Sequence, residues 1–168
     1  MAASPADGPA PELLAGLIAL GDGLPFNQHL GARVDTLEVG HAVTRLADDA
    51  SLHNHLGGVH AIAELAPVEL AGALAASTRL WRVLERGYVP VVGEVAARYV
   101  APATGELTAT ARLGGEAVAP ALASIEAGER PRAEVEVTVT DAHGTVVLEA
   151  RLTFVFLDAA RAAQVRGG

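Results

Sequence analysis

One short run of the chain holds Asn54, Gly57, Gly58, His60 and Glu69, residue types that carry polar chemistry, inside residues 54–76. After the glycine pair this stretch is apolar and alanine-rich for about five helical turns. At roughly 100° per residue, Ile62, Leu65, Ala66, Gly72, Ala73 and Ala76 share one face, and Glu69 falls in its middle. A carboxylate inside an apolar stripe costs several kcal/mol unless it is paired, protonated or open to a cavity. Burial there raises its pKa toward neutrality, which suits a general base; pairing with an arginine or a backbone amide is the structural alternative. Backbone N–H groups at the start of such a helix, among Gly57, Gly58, Val59 and His60, suit a developing oxyanion, although two glycines also simply make a tight turn. Asn54 either positions a reacting group or caps the helix. His60 either shapes a pocket or pairs with Glu64 one turn on.

Other chemistries fit less well. His53, His55 and His60 alternate in this loop, but no cysteine and no carboxylate at a recognised spacing completes a zinc set, so no metal is expected. Ser51, Ser77 and Ser124 lie in no nucleophile-elbow sequence, and no glycine-rich phosphate loop is present. The absence of cysteine excludes disulfides and a thiolate nucleophile. A net charge of −8 argues against general binding to nucleic acid or anionic membranes. No apolar run is long enough for a membrane span, and no basic segment ahead of an apolar run suggests export, so the expected compartment is the cytoplasm.

The elements that position these residues follow from periodicity. A length of 168 residues predicts one domain. Residues 1–11 read as a disordered tail, 12–160 as the domain and 161–168 as a frayed end. With 51% hydrophobic and only 4% aromatic residues, the core must be built from Ala, Val and Leu. Pro11 opens a helix to about Leu20, which Gly21 and Gly23 end and Pro25 keeps from resuming. From Gln28 the alternation predicts a β-hairpin turning at Val39-Gly40. The central helix follows, kinked near residues 63–66 by Pro67. A short helical segment around Trp81 ends at Gly87. Residues 88–101 and 105–113 then read as strands flanking a turn, 116–126 as a short helix, and 132–141 and 146–157 as strands. The fold class is α+β, a curved antiparallel sheet wrapped around one buried helix. Open sheet edges in such a fold are commonly closed by dimerisation.

This order resembles the hot-dog fold of acyl-CoA thioesterases and dehydratases. Within it the chain is most similar to phenylacetate-pathway-type thioesterases and a related thioesterase-like branch of unassigned function. The resemblance spans residues 26–157 and rests on the spacing Asn54, Gly57, His60, Glu69. Those thioesterases follow the histidine with two glycines and end on Asp; here Ala61-Ile62 follow His60, and the acid is Glu69. The helix at residues 116–126 resembles the unassigned branch. The resemblance implies a homodimer or dimer of dimers that binds an acyl-CoA or other acyl thioester between protomers, with no cofactor. Hydrolysis would use Glu69 as base or nucleophile, amides near Gly57 and Gly58 as oxyanion donors, and Val59, Ile62 and Leu65 as substrate contacts. Arg79, Arg82 and Arg98 are candidates for the coenzyme A phosphates. The alternative is a non-catalytic acyl-thioester or lipid-binding protein, because Ala61-Ile62 and Pro67 alter the oxyanion region. A dehydratase would need a His–acid pair facing the substrate, and His60 and Glu64 point away from Glu69.

Overall fold

The computed structural model describes residues 8–160 and residue 163. Most of the expected tail and frayed end lies outside the described residues. Six antiparallel strands form one curved sheet in the order β1-β2-β4-β5-β6-β3, wrapped around helix α3 (Leu65–Arg79). This is the α+β architecture that the alternation predicts. The strands are β1 (Ala32–Glu38), β2 (His41–Leu46), β3 (Tyr88–Tyr99), β4 (Leu107–Arg112), β5 (Arg132–Thr140) and β6 (Val146–Asp158). Each central strand buries every second residue. Ala109 and Ala111 of β4, Val135, Val137 and Val139 of β5, and Leu148, Leu152, Phe154 and Phe156 of β6 form the inner face. Each fully buried Val, Leu or Phe contributes about 1.5–3 kcal/mol.

The N-terminal region departs from expectation. Helix α1 (Pro11–Gly23) runs past Gly21, whose missing side chain leaves room for Leu70 and Val34. Pro25 starts a second helix, α2 (Pro25–Leu30), instead of preventing one. A proline fits the first helical position, where no intrahelical N–H bond is due, and it holds the preceding Leu24 extended.

The central helix also starts later than its periodicity suggests. Residues 61–64 form a turn, closed by bonds from Glu64 N to His60 O, Leu65 N to Ile62 O and Ala66 N to Ala63 O. A helix beginning at Leu65 places Pro67 in its first turn, where the missing N–H costs no bond. Pro67 therefore sets the start of α3 rather than kinking it. Its carbonyl accepts a bond from the buried Thr44 hydroxyl, 2.7 Å away. Because the sheet surrounds it, α3 buries most of its circumference, and Gly72 lets the Phe154 ring lie against the helix backbone.

The two strands read on either side of the 102–105 turn do not pair. β3 pairs only with β6, whereas β4 lies between β2 and β5. β3 is thus an edge strand, mostly exposed along its length, with Val92 and Val95 open to solvent. A short helix α4 (Trp81–Glu85) precedes it, and α5 (Val118–Glu126) is inserted between β4 and β5. Among the described residues no helix is long and apolar enough to cross a membrane.

Candidate active site

A groove of about 380 Å³ lies where the first turns of α3 face the edge strand. Leu65, Val68 and Glu69 come from α3, Ile62 from the turn before it, Val92 and Val95 from β3, and Phe26 and Asn27 from α2. Its walls are apolar apart from Asn27 and Glu69. Asn27 is 3% exposed, and its side-chain amide donates to Gly21 O at 2.9 Å, which ties α2 to the end of α1.

Glu69 is not buried by its own chain. It is exposed in the single chain, on the narrow strip of α3 that the sheet leaves open, near the half-buried Leu65 and Ala73. Apolar groups still surround it in the groove, and that partial loss of solvent raises its pKa above the usual carboxylate value. It makes no hydrogen bond or ion pair with any described residue. Ile62 is 68% exposed at the groove mouth.

The buried carboxylate is Glu64, which is 4% exposed. Its Oε2 is sealed from solvent and has no hydrogen-bond partner among the described residues. Burial pushes its pKa up to about 7. Of the two roles open to His60, the pair with Glu64 does not form; His60 Nδ1 instead accepts from the Ile62 amide at 3.1 Å. Raising a folded-state carboxyl above its unfolded value means that the folded protein keeps the proton longer. The contribution of Glu64 to stability is therefore greatest in acid and declines as pH rises from about 4.5 to about 7, then levels. The full decline is on the order of 3 kcal/mol at 1.36 kcal/mol per unit. Thermal melts across this range should show it as the difference between the wild type and Glu64→Gln, the wild type losing more stability as pH rises.

The amides expected to serve an oxyanion are already used. Gly57 N donates to Asn54 O, Gly58 N to Asn54 Oδ1, Val59 N to Ala103 O and His60 N to Leu52 O, at 2.8–3.3 Å. Asn54 organises this loop: Oδ1 also accepts from Leu56 N at 2.8 Å, and Nδ2 donates to Val59 O at 3.0 Å. Gly58 is required by close approach, since a Cβ there would lie 2.8 Å from Ala103 O. Val59 is in the core and does not line the groove. The turn amides with no bond to any described residue are those of Ala61 and Ala63, one and three positions beyond His60.

The structure thus brings Glu69, Ile62 and Leu65 together and leaves Asn54, Gly57, Gly58, Val59 and His60 supporting the loop behind them. Phe26, Asn27, Val92 and Val95 join the site from distant positions, which no local pattern signals. Arg79 is committed to the fold through Leu113 O and Val39 O, Arg98 pairs with Glu149, and Arg82 lies 5.1 Å from the centre of the Trp81 ring. His53 pairs with Asp48 at 2.8 Å, and among the described residues no three His, Asp or Glu gather as a metal site.

Solved structures share this fold. PA5026 of Pseudomonas aeruginosa, described as a protein of unknown function and probable thioesterase, is 27% identical with a TM-score of 0.74, over 89% of this chain and 97% of its own. Thioesterase HI1161 of Haemophilus influenzae is 20% identical with a TM-score of 0.67, over 87% of this chain and 91% of its own. PaaI, from the phenylacetic acid degradation operon of E. coli, is 16% identical with a TM-score of 0.61, over 86% of this chain and 95% of its own. The last two likenesses are of fold alone, and together the neighbours are thioesterase-family hot-dog proteins. No curated protein matches the chain. The family model described as a domain of unknown function (DUF4442) matches residues 17–156. A match over most of its length makes this chain a member of the DUF4442 family, in a hot-dog fold.

Proposed function

We propose that the protein is an acyl-CoA thioesterase that works as a homodimer, with each site formed between protomers. The observation that carries this reading is Glu69: a carboxylate without a partner among the described residues, opening into an apolar groove beside a strand edge that no described strand pairs. A free strand edge is normally covered. Pairing β3 with β3 of a second copy would roof the groove, withdraw Glu69 further from water and leave an apolar channel for an acyl chain. There Glu69 takes a proton from water as the water oxygen attacks the thioester carbonyl. The Ala61 and Ala63 amides are the donors left for the resulting oxyanion. Collapse breaks the C–S bond, and the proton passes to the departing thiolate, giving free acid and coenzyme A.

Two measurements test this. Light scattering should give twice the 17.1 kDa chain mass, and Val95→Glu, which sets a charge in the covered groove, should shift the mass toward one chain. A panel of short, medium, long and phenylacetyl CoA thioesters, followed by thiol release, should show turnover by the wild type. A monomer, or no thioester hydrolysed above background, overturns the proposal. Calorimetric binding without turnover would instead establish a non-catalytic acyl-thioester-binding protein.

A further inference from the structure

The buried Glu64 is not used by the hydrolytic scheme, yet it sits within three residues of both donor amides. We infer that Glu64 is a positioning residue whose proton controls the turn that presents the Ala61 and Ala63 amides: neutral, it leaves them to the substrate; ionised, it takes them away. The inference rests on the hydrolase reading of the groove.

The geometry supplies the reason. Glu64 Oε2 is sealed from solvent with no hydrogen-bond partner among the described residues, so a charge placed there has nothing to satisfy it. The donors nearest to it along the chain that lack a bond to any described residue are the Ala61 and Ala63 amides, three positions and one position before it, and the Tyr99 hydroxyl lies in its electrostatic field. Tyr99 now donates to Ala61 O at 2.7 Å, clamping the turn to the end of β3. Burial first, and then the nearby Glu64 charge, make the Tyr99 phenol harder to ionise, which places the two side chains in electrostatic contact. His60, the other titratable group of the turn, is held by the Ile62 amide, and no described cation pairs with Glu64. An ionised Glu64 would therefore recruit one of these donors, release the turn and oppose a developing oxyanion by like charge.

Glu64 and Glu69 then have opposite requirements. Glu69 must be ionised to accept a proton, and Glu64 must be neutral. Rate should rise with pH as Glu69 ionises and fall again as Glu64 does. With Glu64 titrating at about 7, its neutral fraction falls about thirtyfold between about pH 6 and pH 8.5, and kcat should follow that fall once Glu69 is ionised. Glu64→Gln should remove that alkaline fall and keep the acid limb.

The test pairs this profile with amide NMR on the intact wild-type protein. Ala61 and Ala63 amide shifts should titrate together near neutrality in the wild type and stay constant in Glu64→Gln. Wild-type amides that do not move across neutrality, or an alkaline fall that survives in Glu64→Gln, overturn the inference. Amides that titrate in a protein that hydrolyses no acyl-CoA support the switch and overturn the hydrolase reading.

Discussion

If the proposed mechanism holds, Glu69→Gln should lower acyl-CoA hydrolysis by about 10²–10⁴-fold, the range expected for loss of a positioned general base, with little change in KM. The amide keeps the size of the side chain but cannot take the proton of the attacking water. Folding should be unimpaired, because Glu69 makes no hydrogen bond or ion pair that the substitution would break. Stability should rise slightly, since a carboxylate is removed from apolar surroundings. The acid limb of the wild-type rate, below the alkaline fall set by Glu64, should lie at higher pH than for an ordinary carboxylate, because partial loss of solvent in the groove raises the Glu69 pKa. Steady-state kinetics across pH, with light scattering of both proteins, checks this. If Glu69 instead holds protomers together through a salt bridge, Glu69→Gln weakens the dimer and leaves the rate per intact dimer equal.

Gly40→Ala should be the most damaging single-methyl change, costing about 3–5 kcal/mol from left-handed strain and overpacking together. Gly40 turns the β1–β2 hairpin at φ 73° and packs against the end of α3. Its N–H donates to Thr78 Oγ1 at 2.9 Å, and that hydroxyl donates onward to the backbone. Arg79 bridges Val39 O and Leu113 O beside it, at 2.9 and 3.0 Å. A Cβ on Gly40 would lie 2.4 Å from Leu113 O and 2.5 Å from Arg79 Nε. The carbonyl belongs to the sheet backbone and cannot move aside, so the clash would disrupt the junction of hairpin, helix and β4. Urea denaturation should show a lower midpoint at an unchanged m-value. A midpoint equal to that of the wild type would mean that the junction contributes nothing.

The sheet was legible because each strand presents one face to one core. Val135, Val137 and Val139 alternate with polar partners, as do Leu107, Ala109 and Ala111, and all six are buried. The helix was less so, for two reasons. In an alanine-rich segment the apolar period is shallow, so Pro67 alone marks the boundary, and the same residue fits either a kink or a first turn. The second reason is that a helix wrapped by a sheet buries most of its surface, including Leu70, Leu74 and Ala75, which lie outside the stripe centred on Glu69. The strip with Leu65, Glu69 and Ala73 is the open one, which is why the odd acid faces a groove and a different acid, Glu64, is buried. No local pattern could supply the far wall: Val92 and Val95 reach the groove because β3 pairs with β6 across the sheet edge, and Phe26 and Asn27 because Pro25 restarts a helix.

The central claim is that an acyl thioester sits in the groove with its carbonyl beside Glu69. A crystal structure with a non-hydrolysable 2-oxoalkyl-CoA, a thioether that keeps a ketone carbonyl beside the sulfur-bearing carbon, tests it most directly. The expected result is an acyl chain along Leu65 and Val95, roofed by β3 of a second protomer, with the carbonyl oxygen near the Ala61 and Ala63 amides and a water on the Glu69 carboxylate. A ligand seated elsewhere, or Glu69 locked in a salt bridge across the protomer seam, would contradict it.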